Sequence, residues 1–129
     1  GLRRSELIRI RVADIYCCEG KLVAYVANGK GGKDREVPVL PGREQDVLAV
    51  VEGRNADEPI FAHLPDAADI HAFRREYAQA LYQYYTSGRD LPPATGRLKQ
   101  ADYDLEATLR VSRALGHKRR DVVLRHYLR

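Results

Sequence analysis

The stretch LVAYVANGKGGKDREVPV, residues 22–39, decides the fold because it encodes a β-hairpin. Its two outer segments, 22–26 and 36–39, contain the β-branched and aromatic residues that favour strands. Between them, residues 29–34 include three glycines, which is typical of a turn. Pro38 has no backbone N–H, so we expect it on an edge strand or at a strand end.

The sequence on both sides of the hairpin adds one strand and five helices. Residues 15–18 predict a third strand, which a turn at residues 19–20 joins to the hairpin. Residues 86–100, with two prolines and two glycines, predict a loop. We predict helices at 3–10, between 41 and 53, at 66–85, through Leu105, Leu109 and Leu115 up to Gly116, and at 121–127, the second and third of them from the helical spacing of their apolar residues. We therefore predict an α+β fold, mostly α-helical, with one small antiparallel sheet.

Individual positions in these helices are also predicted. Phe73, Tyr77 and Leu81 recur every fourth residue and predict the buried stripe of the third helix. Asp102 or Asp104 is expected to cap the fourth helix. The second helix is expected to have one apolar face, made of Val47, Leu48 and Val51.

The composition indicates a folded domain. The 129 residues are 44% hydrophobic and 31% charged, which suits one domain or a piece of one. The chain contains no methionine and begins inside a predicted helix, so we expect a fragment of a longer protein. No apolar run approaches the roughly 20 residues that cross a bilayer, and no signal peptide is evident. Cys17 and Cys18 are adjacent, which prevents an ordinary disulfide between them, and we expect a cytoplasmic protein.

Basic residues concentrate at the two ends of the chain. The net charge is +4, and residues 110–129 contain seven basic residues and one acid, Asp121. Residues 1–11 contain four arginines and one acid, Glu6. This distribution is compatible with a nucleic-acid partner, although a solvated charged surface is the alternative interpretation.

Six residues along the chain have side chains suited to phosphoryl transfer. Arginine stays charged and offers a planar fork of donors, and such clamps stabilise charge on phosphate oxygens in the transition state. We predict that Arg3 and Arg74 form the clamp. Tyr127 is the predicted nucleophile, because nearby cations favour the reactive phenolate. The alternative for each arginine is a surface salt bridge, and for the tyrosine a structural role.

The remaining three candidates are a lysine and two histidines. Lys30 lies in the glycine-rich turn, where it can protonate a leaving 5′ oxygen as a general acid, and Lys33 is the second choice. His71 lies three residues before Arg74, so the two share one face of a helix. His117 follows Gly116 and either donates to a phosphate oxygen or interacts with a helix C-terminus.

Five motifs in this order resemble the catalytic domain of the tyrosine recombinases, the phage integrase family. GLRRSEL at residues 1–7 is similar to the motif of the family's first arginine. The other four are the lysine-bearing hairpin at 29–39, the His-x-x-Arg box HAFR at 71–74, LGH at 115–117, and Tyr127. The resemblance covers nearly the whole chain.

The resemblance implies a site-specific recombinase or integrase. Residues 1–129 would be its helical catalytic domain, of the DNA breaking–rejoining type, without the family's N-terminal DNA-binding domain. Tyr127 would attack one DNA strand to form a 3′-phosphotyrosine bond and release a 5′ hydroxyl. The scissile phosphate would be bound by Arg3, Arg74 and His117. Lys30 would act as the general acid, and His71 would assist by proton transfer or hydrogen bonding.

The resemblance also implies partners and a cellular setting. The reaction needs no metal or other cofactor, and the partner is double-stranded DNA. The full-length protein would act as a homo-tetramer on two duplexes, away from membranes. A bacterial or phage protein of a mobile element, cytoplasmic and associated with the nucleoid, is the expected context.

Three other functions compete with this interpretation. A type IB topoisomerase-like enzyme would use the same residues to relax supercoils. A non-catalytic DNA-binding module would keep the basic surface without turnover. A metal-dependent nuclease would need clustered carboxylates, whereas the acids of this sequence are scattered.

Overall fold

A computed structural model describes residues 1–129 and has five helices with one three-stranded antiparallel sheet. The α+β class predicted from the sequence is therefore confirmed. The chain divides into two compact units, which we call the N-terminal unit, Leu2–Ile70, and the C-terminal unit, Gly1 with His71–Arg129. No helix has both the length and the apolar character that crossing a membrane would need.

The N-terminal unit is built around the predicted sheet. Its elements are α1 (Arg4–Arg9), a 3₁₀ turn (Val12–Asp14), β1 (Ile15–Cys18), β2 (Lys21–Val26), β3 (Arg35–Pro38) and α2 (Glu44–Val51). The strands lie in the order β1-β2-β3, and Ala24 of the central strand pairs with Ile15 on one side and Val37 on the other. Leu22, Ala24 and Val26 lie on one face of β2 and are buried against the core, and Val23 on the opposite face is buried as well.

Most local predictions for this unit are confirmed. The third strand is present, and Pro38 ends the edge strand β3, where its missing N–H costs no ladder hydrogen bond. The apolar face of α2 is not a buried face, because Leu48 is 39% exposed and no residue of this helix is fully buried.

The C-terminal unit is helical. It contains α3 (Ile70–Tyr85, whose first residue belongs to the N-terminal unit), a 3₁₀ turn (Gln100–Asp102), α4 (Leu105–Leu115) and α5 (Arg120–His126). Residues 86–99 form the predicted loop. Asp104 caps α4, since its Oδ1 accepts from the Ala107 amide at 2.8 Å. Gly116 ends this helix in the left-handed conformation, with φ +83°.

Two predictions about α3 are wrong. The helix begins at Ile70 rather than near residue 66, because residues 65–68 form a turn in which the Ala68 amide donates to the Pro65 carbonyl. Phe73 does not belong to the buried stripe and is 61% exposed. At about 100° per residue it lies about 140° away from Ala78, which is fully buried. The buried face of α3 consists of Arg74, Tyr77, Ala78, Leu81 and Tyr82.

Candidate functional site

Four of the six predicted site residues meet in the C-terminal unit, and we call them the Tyr127 cluster: His71, Arg74, His117 and Tyr127. Nε and Nη2 of Arg74 both donate to the Tyr127 phenol oxygen at 3.4 Å. The guanidinium carbon also lies 5.3 Å from the centre of the tyrosine ring. The rings of His71 and His117 lie 5.2 Å and 5.6 Å from that ring, centre to centre. One phenol is therefore in contact with a cation and two imidazoles.

Helix α3 explains how two of these side chains reach the same ring. His71 lies in its first turn, and Arg74 follows one turn later on the same face, as the spacing of three predicted. His71 is exposed, whereas Arg74 is only 4% exposed. The helix thus presents one solvent-facing imidazole and one buried guanidinium to Tyr127.

The burial of Arg74 is unusual because its partners are neutral. Its Nη1 donates to the Gly1 carbonyl at 2.7 Å, and its Nη2 donates to the Leu115 carbonyl at 3.3 Å. Leu115 ends α4, where the helix dipole places partial negative charge on the carbonyls. No carboxylate of the C-terminal unit pairs with Arg74. Because no carboxylate neutralises the Arg74 guanidinium, an anion that binds beside it is attracted by the full positive charge.

His117 is positioned by the end of α4. Its amide donates to the Ser112 carbonyl at 2.9 Å, and the Ser112 hydroxyl donates to the His117 carbonyl at 3.0 Å. The positive φ of Gly116 turns the chain at this point. The ring is half-buried beside Tyr127. This position agrees with the interpretation of His117 as a helix-end residue, and its contact with a phosphate oxygen stays a prediction.

Arg3 is organised in the N-terminal unit by a residue that sequence reasoning missed. Glu6 is 3% exposed, and its Oε1 accepts from the Arg3 amide at 2.8 Å. The Arg3 guanidinium lies 3.4 Å from Glu6 Oε2. Arg35 donates to both carboxylate oxygens, at 2.6 Å and 2.9 Å. A single buried carboxylate therefore holds two arginines, one of them a predicted phosphate ligand.

Two opposing effects act on the pKa of Glu6. Burial favours the neutral acid and acts to raise this pKa, but the hydrogen bonds from Arg35 and from the Arg3 amide, with the charges of both arginines, outweigh it. The net result lowers the pKa of Glu6 from 4.5 to about 2. The carboxylate consequently stays ionised at neutral pH.

Lys30 lies at the tip of the turn between β2 and β3. Both Lys30 and Lys33 are exposed, so burial does not distinguish the first choice of general acid from the second. The Gly29 amide donates to the Lys33 carbonyl, and the Gly32 amide donates to the Gly29 carbonyl, both at 2.8 Å. The turn is thus closed by its own backbone. Arg3 and Lys30 belong to the N-terminal unit, and the Tyr127 cluster belongs to the C-terminal unit.

A basic groove lies in the C-terminal unit, with a volume of about 460 Å³. Its lining residues are Gln100, Leu109, Lys118, Arg119, Arg120, Asp121 and Arg125. Asp121 pairs with Arg119 at 2.9 Å, which leaves the other three cations of the lining without a carboxylate. Such a surface attracts polyanions.

Two further residues contact the predicted site residues, and a local sequence pattern could have identified only one of them. Glu6 follows the helix N-cap by three residues, the position from which an acid reaches back to the N-cap amide, so a capping-box pattern could have identified it. Gln79 donates from Nε2 to the Tyr127 carbonyl at 3.2 Å, and no local pattern indicates this contact.

Comparison with known proteins identifies no relative. No protein-family model matches the chain, and neither a curated protein nor a solved structure does. No group of three or more His, Cys, Asp or Glu side chains is arranged to hold a metal ion.

Proposed function

We propose that the chain is the catalytic domain of a site-specific DNA recombinase or integrase, in which Tyr127 is the nucleophile. The observation that supports this most is the pair of Arg74 donors, each 3.4 Å from the Tyr127 phenol oxygen. A guanidinium in that position can bind a phosphate oxygen directly beside the attacking phenol. The four motif residues of the C-terminal unit come from three separate stretches of sequence, 71–74, 115–117 and Tyr127, and they share this one location.

The proposed reaction is a transesterification in which atoms and charge balance. The Tyr127 oxygen attacks the scissile phosphorus and loses its proton, with His71 as the nearby group able to take it or to hydrogen-bond. The bond from phosphorus to the 5′ oxygen breaks, and Lys30 supplies the proton to that oxygen. Attack by a 5′ hydroxyl on the 3′-phosphotyrosine then reverses the step and rejoins the DNA. Arg3, Arg74 and His117 bind the phosphate throughout.

The charge of the site supports a phosphodiester substrate. Arg74 is buried without a carboxylate, so an anion that reaches it meets an unneutralised cation in a poorly solvated position. The basic groove supplies further cations that can bind the DNA phosphates on either side of the scissile phosphate. We extend the proposal to double-stranded DNA as the partner and a homo-tetramer of the full-length protein. A nucleoid-associated bacterial or phage protein of a mobile element is the proposed context.

A nicked suicide duplex tests the proposal. Cleavage near the nick releases a short strand, so the 3′-phosphotyrosine adduct accumulates and can be mapped by peptide sequencing. We expect the adduct on Tyr127 in the presence of a chelator, and no adduct with Tyr127→Phe, which should still bind DNA. Tyr84→Phe is the matched control, because Tyr84 is 52% exposed on α3. Equal trapping by Tyr127→Phe would remove Tyr127 as the nucleophile.

A further inference from the structure

The three residues 127–129 are each held by a side-chain hydrogen bond within the C-terminal unit. Gln79 of α3 donates to the Tyr127 carbonyl at 3.2 Å. The Tyr103 hydroxyl donates to the Leu128 carbonyl at 3.4 Å. The Arg129 guanidinium donates to the Gly96 carbonyl in the loop 86–99. The segment that contains the proposed nucleophile is thus attached at three successive positions.

Burial makes this attachment rigid. Leu128 is completely buried, and Tyr103 is 5% exposed with its ring edge-on to Tyr82. The amides of Tyr127 and Leu128 both donate to the Val123 carbonyl at 3.0 Å, which closes the end of α5. Tightly packed segments with paired backbone groups open rarely, so the tyrosine main chain has little freedom in this arrangement.

Gln79 differs from the other two anchors because it shares a helix with Arg74. The two residues are five positions apart on α3, a rise of about 7.5 Å. Arg74 contacts the phenol oxygen of Tyr127, and Gln79 contacts its carbonyl. One rigid element therefore holds both ends of the tyrosine residue.

We propose that Gln79 is a positioning residue that sets the distance between the Tyr127 phenol and the Arg74 guanidinium. The inference rests on the function proposed above. A nucleophile must lie within a few tenths of an ångström of its attack geometry, and a displacement of about 1 Å can lower a rate about 100-fold. Loss of the carbonyl contact removes the anchor that joins the main chain of Tyr127 to α3, and it should affect the reaction step without affecting DNA binding.

Three substitutions separate this role from a general effect on folding. Gln79→Met keeps the size of the side chain and removes the donor. Gln79→Lys keeps a donor of similar reach and should restore function. Gln83→Met is the matched control, because Gln83 lies one turn further along α3 and is exposed.

Two measurements on the full chain give the result. Relative to the unsubstituted chain, Gln79→Met should trap a nicked duplex at least about 10-fold more slowly, with unchanged DNA affinity and faster hydrogen exchange at the Leu128 amide. Gln79→Lys and Gln83→Met should trap at rates within about 3-fold of the unsubstituted chain.

The outcomes distinguish this inference from the proposed function. If the unsubstituted chain traps DNA and Gln79→Met traps it equally fast, Gln79 has no positioning role. Equal losses in Gln79→Met and Gln79→Lys would also overturn the inference, because the donor would not matter. If the unsubstituted chain forms no adduct, the proposed function fails and the inference fails with it.

Discussion

The Glu6 carboxylate and the Arg35 guanidinium form a two-point ion pair, with hydrogen bonds of 2.6 Å and 2.9 Å, between residues 29 positions apart. The pair joins α1 to the first residue of β3, at the base of the turn that contains Lys30. Because Glu6 also accepts from the amide of Arg3, one side chain links a predicted phosphate ligand to the turn that contains the predicted general acid, Lys30. Paired, parallel hydrogen bonds of this kind are directional as well as strong.

Removing the charge of Glu6 should destabilise the protein. Glu6→Gln leaves Arg35 and Arg3 without their shared carboxylate, and breaking a buried pair costs about 3 kcal/mol or more. Equilibrium unfolding in urea measures the change. Glu52→Gln is the control, since Glu52 is exposed beside the end of α2 and should change stability by less than about 0.5 kcal/mol. Equal effects of the two substitutions would contradict a stabilising role for the buried pair.

Acid should remove the stability that Glu6 provides. Its folded pKa of about 2 lies below the ordinary value of 4.5, so the folded state binds the proton less readily than the unfolded chain does. The contribution is fully present above pH 4.5 and is lost as the pH falls towards about 2. Such a shift corresponds to about 3 kcal/mol. Unfolding free energies measured across this range should fall less steeply in Glu6→Gln, and identical slopes would refute the assignment.

Arg74 should matter more for the reaction rate than for DNA affinity. Arg74→Lys keeps the charge but loses the planar fork that contacts the Tyr127 phenol and the carbonyls. We expect single-turnover adduct formation to fall about 100-fold and DNA affinity to change less than about 3-fold. Arg75→Lys, on the exposed side of the same helix, should have little effect on either. Equal losses in rate and affinity would show that Arg74 binds the phosphate without stabilising the transition state specifically.

Asp104, and not Asp102, should stabilise the start of α4. Only Asp104 accepts from the Ala107 amide, so Asp104→Ala should lower the free energy of unfolding by about 1 kcal/mol. Asp102 lies in the preceding 3₁₀ turn and is exposed, which makes Asp102→Ala the matched control. Thermal unfolding compares the two variants. A larger loss of stability in Asp102→Ala than in Asp104→Ala would contradict the assignment of Asp104 as the N-cap of α4.

Local sequence patterns predicted the elements more reliably than their buried faces. The strands at 15–18 and 35–38 and the cap at Gly116 follow from residue types that restrict the backbone at short range. The predicted buried stripe of α3 is correct at Tyr77 and Leu81, which are 8% and 1% exposed, and wrong at Phe73, which is 61% exposed. The centre of the buried face is Ala78, and Arg74 occupies the position on that face that Phe73 was expected to fill.

By itself the sequence determined the α+β class, the hairpin, the end of α4 at Gly116 and the six residue types that suit phosphoryl transfer, because turns, caps and periodicity depend on neighbours in the chain. Only the tertiary structure decided which distant residues contact these side chains. The Glu6–Arg35 pair and the Gln79–Tyr127 contact join residues 29 and 48 positions apart. Such contacts depend on how the elements pack, and the periodicity of apolar residues in the sequence does not indicate which elements meet. The meeting of Arg74 with the Tyr127 phenol has the same origin, since their separation of 53 residues is closed by packing alone.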